Sequence, residues 1–215
     1  MTKGRQTSRG EPRWPALLAL LALGGLHAAF PPSLVLGSPK WLLLALIVLL
    51  LVPTVISHRK GRQRLNQTLG YLLNGLVTLS MIVSLGLLIR ILPGHVETPQ
   101  QLLQSASSLW IANILVFASW YWRLDAGGPY KRDARTRHSE GAFLFPQMTM
   151  DRETSAGNWS PRFIDYLFLA FNTSTAFSPT DVPVLSRWAK VLMMTQSLVS
   201  LLIVALLAAR AVNIL

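Results

Sequence analysis

Residues Ser160 to Asp181 read SPRFIDYLFLAFNTSTAFSPTD, a stretch that begins like a membrane helix and stops before it can complete one. Ser160 suits a helix cap and Pro161 a first turn, and Phe163 to Phe171 is apolar apart from Asp165, so a helix starting near residue 161 is predicted. Asp165 falls where a carboxylate favours its own helix N-terminus. The polar run Asn172-Thr173-Ser174-Thr175 then lies at the depth where a crossing helix is most apolar. Ser178-Pro179-Thr180-Asp181 breaks the helix after about 17 residues. Irregular polar backbone at membrane depth is tolerated only where protein or water surrounds it. The stretch therefore reads as a pore-like helix with a filter-like loop, or as a re-entrant hairpin.

The rest of the chain sets this segment in a membrane. Of 215 residues, 51% are apolar and only 13% charged, against about a quarter charged in soluble domains. The net charge of +11 would point to nucleic acid in a soluble protein, but here the basic residues lie between long uncharged runs and serve orientation instead. Such runs cover Trp14 to Phe30, Trp41 to Ile56, Leu69 to Leu92 and Ser105 to Trp122, and the last extends from Val191 to Ala209, or from Trp188 to Ile214 at its widest. The first reads as a signal peptide or as a retained helix, and retention is the expectation because several spans follow it. Pro53 is expected to kink the second run or mark its last turns. The fold class expected is all-α: a polytopic transmembrane bundle of five long helices plus a short pore-like or re-entrant helix. Its regions are 1–122, a four-helix region with a basic N-terminus; 123–160, a polar loop; and 161–215, the pore-like helix, loop and last helix. Phe143-Leu144-Phe145-Pro146 is an apolar patch within the loop that is expected to dock against the membrane face.

Lys and Arg gather at the N-terminus (Lys3, Arg5, Arg9, Arg13), in the second loop (Arg59, Lys60, Arg62, Arg64) and in the long loop from Arg123 to Arg162. Those sides are expected to be cytoplasmic. Two arrangements of the C-terminal part follow. Either Phe163 to Phe177 crosses fully, or it re-enters from the cytoplasm and the last helix exits. Arg187 and Lys190 favour an inside start for that helix, and Arg210 an inside finish.

The order short helix, Thr175-Ala176-Phe177-Ser178-Pro179-Thr180-Asp181, connector Pro183 to Arg187 and long last helix resembles the pore module of potassium channels, whose filter reads T-T-V-G-Y-G-D. Thr175 and Asp181 match that pattern; Ser178 and Thr180 stand where the family has glycine, and Pro179 replaces its tyrosine. The glycines let successive carbonyls face an ion, so a dehydration filter of that type is not expected here. A second resemblance is to a family of uncharacterised bacterial inner-membrane proteins. It rests on Gly141 to Pro146, Asp165-Tyr166 with Ala170-Phe171, Thr180-Asp181-Val182 with Ser186-Arg187, and Val212-Asn213-Ile214. This resemblance implies a bacterial, multi-pass inner-membrane protein and no settled activity.

Other motifs carry less. His27, His58, His95 and His138 have no metal-ligand spacing. Asp125, Asp133, Asp151, Asp165 and Asp181 lack the clustering of a metal or acid–base site. Cysteine is absent, which excludes disulfides and thiolate chemistry. Asn74 with Thr78, Gln196 with Ser200, and Asn113 are read as interhelical hydrogen-bonding groups, with a polar pathway as the alternative. No H-E-x-x-H, G-x-S-x-G or phosphate-binding loop is present, so an enzyme is the least supported class and no cofactor is expected. The function expected is cation conduction by a homo-oligomer through 173–181, with Thr175, Ser178, Thr180 and Asp181 as pore or ion-binding residues. The partners expected are the lipid bilayer, a monovalent cation and further copies of the chain. The alternative is a non-conducting membrane protein that binds a partner or lipid.

Overall fold

The computed structural model describes residues 11–35, 39–91, 98–134, 141–150, 159–178 and 181–212. They form an all-α bundle of seven helices: α1 Trp14–Ala28, α2 Leu42–Arg59, α3 Gln63–Ile91, α4 Pro99–Leu124, α5 Pro129–Asp133, α6 Phe163–Thr175 and α7 Arg187–Val212. Four of these, α2, α3, α4 and α7, are long and apolar enough to cross a membrane. The expected five long helices become four, because α1 has only 15 residues between Arg13 and the Pro31-Pro32 break. At 1.5 Å per residue that is roughly 23 Å, short of a bilayer core.

Helix boundaries follow local chemistry. Pro53 lies inside α2, which runs on to Arg59. Just after it, the Thr54 hydroxyl donates to Leu50 O at 2.7 Å and Asn66 Nδ2 donates to Thr54 O at 2.7 Å, so neighbouring polar groups serve the carbonyls around the proline. α3 begins six residues before the apolar run, at Gln63. α4 begins at Pro99 behind a reciprocal cap, in which Gln101 N donates to Thr98 Oγ1 and Thr98 N donates to Gln101 Oε1. After α4 the chain reverses through Ala126, Gly127 and Gly128, all with positive φ. At Gly128 a Cβ would lie 2.9 Å from Arg123 O, so only glycine fits that turn.

α1 to α4 alternate in direction. Arg13, His58 and the α4 C-terminus meet at one end, where Arg13 pairs with Asp133 and His58 Nδ1 bonds Tyr130 Oη at 2.6 Å. His27 meets Ser80 and Ser84 meets Leu34 O toward the other end. The Phe143 to Pro146 patch docks on protein at the basic end, with the Phe143 ring against Tyr121, Tyr166 and Trp188. The outward faces of α2, α3 and α7 carry exposed Leu49, Leu79 and Leu198, as a lipid-facing surface requires.

Candidate functional site: a helix that enters and returns

α6 runs antiparallel to α4. Its start lies beside Trp122, whose ring meets Phe163 edge-on, and its end lies beside Asn113, whose Nδ2 donates to Ser174 Oγ at 3.4 Å. Nine residues of α4 separate those contacts, about 14 Å of helix. The chain does not continue through. It returns to the end it left, where Leu144 N donates to Pro183 O at 2.9 Å and Leu185 N to Ala142 O at 2.8 Å. α7 then starts beside Phe143 and runs parallel to α6, with Gln196 opposite Ala170 and Ser200 opposite Ser174. The segment after α6 therefore doubles back along the bundle to the end at which α6 began.

The polar run at the end of α6 divides by helical period. Thr173 and Ser174 are buried, Ser174 against α4 and α7, while Thr175 is exposed. Around Ser174 the polar groups of three helices join. Gln196 Nε2 donates to Ala170 O at 2.7 Å and to Ser174 Oγ at 2.8 Å, and its Oε1 accepts from Tyr121 Oη at 2.5 Å. Ser200 Oγ donates to Ser174 O at 2.7 Å and accepts from Trp110 Nε1 at 3.1 Å. Ser174 O is one of the last helical carbonyls, which α6 itself leaves without a partner, so α7 supplies the missing donor.

The other end of α6 is held by charge. Glu11 Oε1 accepts from Phe163 N at 2.8 Å and from Trp122 Nε1 at 2.6 Å, while Oε2 pairs with Arg132 at 3.2 Å. Arg132 also donates to Trp122 O at 2.7 Å and Asp125 O at 3.0 Å. Asp125 accepts from Tyr166 Oη at 2.6 Å and Ala142 N at 2.6 Å. Asp165 accepts from Arg162 N at 2.7 Å, the expected role at its own helix start. Burial holds the nearby Arg13 guanidinium below its ordinary pKa, against the pull of Asp133 and Glu11, and raises the Tyr130 phenol.

The sequence-predicted residues fall on the return. Thr175 Oγ1 donates back to Phe171 O at 3.0 Å and Asn172 O at 3.3 Å, an ordinary helical back-bond. Ser178 is half-buried, and Asp181 is exposed with no ion pair to Arg187 or any other cation among the described residues. Thr180 lies outside the described residues. The hydrogen bonds of the Thr175 hydroxyl stay within its own helix. Phe177, at the turn, has φ +53° in the left-handed region. No family model, curated protein or solved structure matches this chain.

Sequence reasoning set aside Asp125 and Asp133 as unclustered and did not single out Glu11. The cluster joins residues up to 152 positions apart. The one available signal was Glu11 itself, the only acidic residue before Glu97, embedded in a basic segment. Among the described residues no group of three or more His, Asp or Glu could hold a metal ion.

Proposed function

We propose that the chain is a multi-pass inner-membrane protein of the bacterial group it resembles, assembling as a homo-oligomer that passes monovalent cations along residues 173–181. The observation that carries this reading is the re-entry of α6. It leaves Thr175, Ala176, Phe177 and Asp181 exposed on one chain, at a break in helical hydrogen bonding. Lipid cannot satisfy that backbone. Further copies around a symmetry axis, with water between them, can. α4, α6 and α7 have the order of a pore module, and equivalent Asp181 carboxylates would form a ring that attracts cations to its mouth. The positive-inside asymmetry supports placing the basic end in the cytoplasm, so the loop is reached from that side.

Purified protein in planar bilayers is expected to pass cation currents. Asp181→Asn is expected to reduce them while leaving folding and oligomer size unchanged. If the wild type passes no ions at any voltage, pH or cation tested, conduction is rejected in favour of a membrane interaction protein. Orientation has its own test in intact cells. Single cysteines at Ser8, Gln63 and Ser139 are expected to resist an impermeant thiol reagent, and a reporter fused after Leu215 is expected outside. Labelling at any of the three positions overturns the orientation.

A further inference from the structure

Away from α6, Arg123 stands out at the basic end of α4. It is 5% exposed, yet among the described residues it forms no ion pair. The three carboxylates nearest in the fold are engaged elsewhere: Glu11 and Asp125 serve Arg132, Tyr166 and backbone amides, and Asp133 serves Arg13. The Arg123 guanidinium lies against Gly70 of α3, where a Cβ would come within 1.8 Å of Nη1, and 5.3 Å from the centroid of the Trp122 ring. Its Nε has no hydrogen-bond partner.

The same crossing holds two further unsatisfied side chains. Asn74, one turn beyond Gly70 on α3, is 1% exposed, and neither its Nδ2 nor its Oδ1 has a partner. Ser119, one turn before Arg123 on α4, is 3% exposed, and its Oγ has none. α3 and α4 run antiparallel here, as Gly70 against Arg123 and Trp120 Nε1 donating to Thr78 Oγ1 at 2.8 Å show, so these turns meet. Burying a cation and several polar groups without partners is costly, most of all in a membrane. The donor set of one guanidinium, one amide and one hydroxyl calls for an acceptor-rich anion, and the planar fork of arginine suits a phosphate.

We infer that Arg123, with Asn74 and Ser119, binds a phosphate-type oxyanion between α3 and α4. The stacked Tyr71 and Trp120 rings lie beside it, and Arg59, Lys60, Arg62 and Arg64 flank and form the turn between α2 and α3. Aromatic rings of this kind sit at the headgroup level, and basic residues gather anionic lipid there. The phosphate can belong to an anionic lipid or be free in solution.

The test uses the full chain in neutral detergent and follows its thermal unfolding with added phosphatidylglycerol, phosphatidylcholine or inorganic phosphate. Phosphatidylglycerol is expected to raise Tm saturably and phosphatidylcholine to do so much less. In Arg123→Gln the half-saturating concentration should rise at least tenfold, without a lower Tm in lipid-free detergent. A saturable, Arg123-dependent rise with inorganic phosphate as large as with phosphatidylglycerol supports the site and identifies the free anion as its ligand. If Arg123→Gln does not fold, Gly70→Ala, which displaces the guanidinium and keeps its charge, is expected to show the same loss of response. An unchanged phosphatidylglycerol response in the variant that folds, equal responses to the two lipids, or no response to any anion overturns the inference.

Discussion

The two ends of α6 are held by opposite kinds of polar chemistry. At Phe163 the partners are carboxylate and guanidinium side chains: Glu11 on the helix N-terminus, Arg132 on Glu11, and Asp125 on Tyr166. At Ser174, deeper in the bundle, every partner is an amide or hydroxyl, from Asn113, Gln196 and Ser200, with the Trp110 indole donating to Ser200. Depth accounts for the difference. An ion pair near the interface recovers its desolvation cost through charge-assisted hydrogen bonds and the positive end of the helix dipole. A neutral amide deeper in the bundle closes the same gaps without the cost of burying charge. The ionic end should therefore fail abruptly when one member is removed, and the neutral end gradually.

The largest effect is expected for Arg132→Met. It leaves Glu11 Oε2 without its closest cation and removes the donor to Trp122 O and Asp125 O. Breaking a buried pair from one side costs about 3–5 kcal/mol, read as a large fall in Tm or in the denaturant midpoint in detergent. A loss below about 1 kcal/mol would mean that water replaces the guanidinium, and the contrast between the two ends would collapse.

Gln196→Leu should do less. It removes the acceptor of Tyr121 Oη and the donors to Ala170 O and Ser174 Oγ. Hydrogen bonds between membrane helices are worth roughly 0.6–2 kcal/mol each, so a total loss of about 2 kcal/mol is expected. Amide exchange should quicken in residues 170–178 and stay unchanged around Phe163. Faster exchange at both ends would show that α6 is released as one unit and that its two ends are not separately held.

The α6 segment was legible because its signals are local: Ser160-Pro161 before the helix, Asn172 to Thr175 inside it, and Ser178-Pro179 after it. Gln196, Ser200 and Asn113 were legible as interhelical bonders, since neutral polar residues in apolar runs have few other uses. The return of the chain after α6 was not. Charge counts on α7 set Arg187 and Lys190 against Arg210, and the decision came from the pairing of residues 142–144 with 183–185, which no local pattern announces. Glu11 was hidden for the same reason. Its sequence neighbours look like a solvated basic tail, while its side-chain hydrogen-bond partners lie beyond residue 121. The Phe143 to Pro146 patch was visible as apolar, but its docking surface is built by Tyr121, Tyr166 and Trp188 from three separate helices.

The smallest effect is expected at the turn just past the neutral end. Phe177 occupies the left-handed position that follows many helices and is usually glycine. For an L-residue that conformation costs about 1–2 kcal/mol, and at 45% exposure its ring recovers little by packing within one chain. Phe177→Gly relieves the strain but adds backbone entropy to the unfolded state, an offset of roughly 0.5–1 kcal/mol. The monomer should therefore gain less than about 1 kcal/mol. If α6 lines an axis shared by several copies, the exposed ring is what a neighbouring chain covers, and the same substitution should shift the oligomer toward monomer in detergent. Mass photometry reads the second effect and thermal unfolding the first. A less stable monomer would place the Phe177 ring inside its own chain's core. A gain in stability with unchanged oligomer size would locate the subunit contact away from the turn.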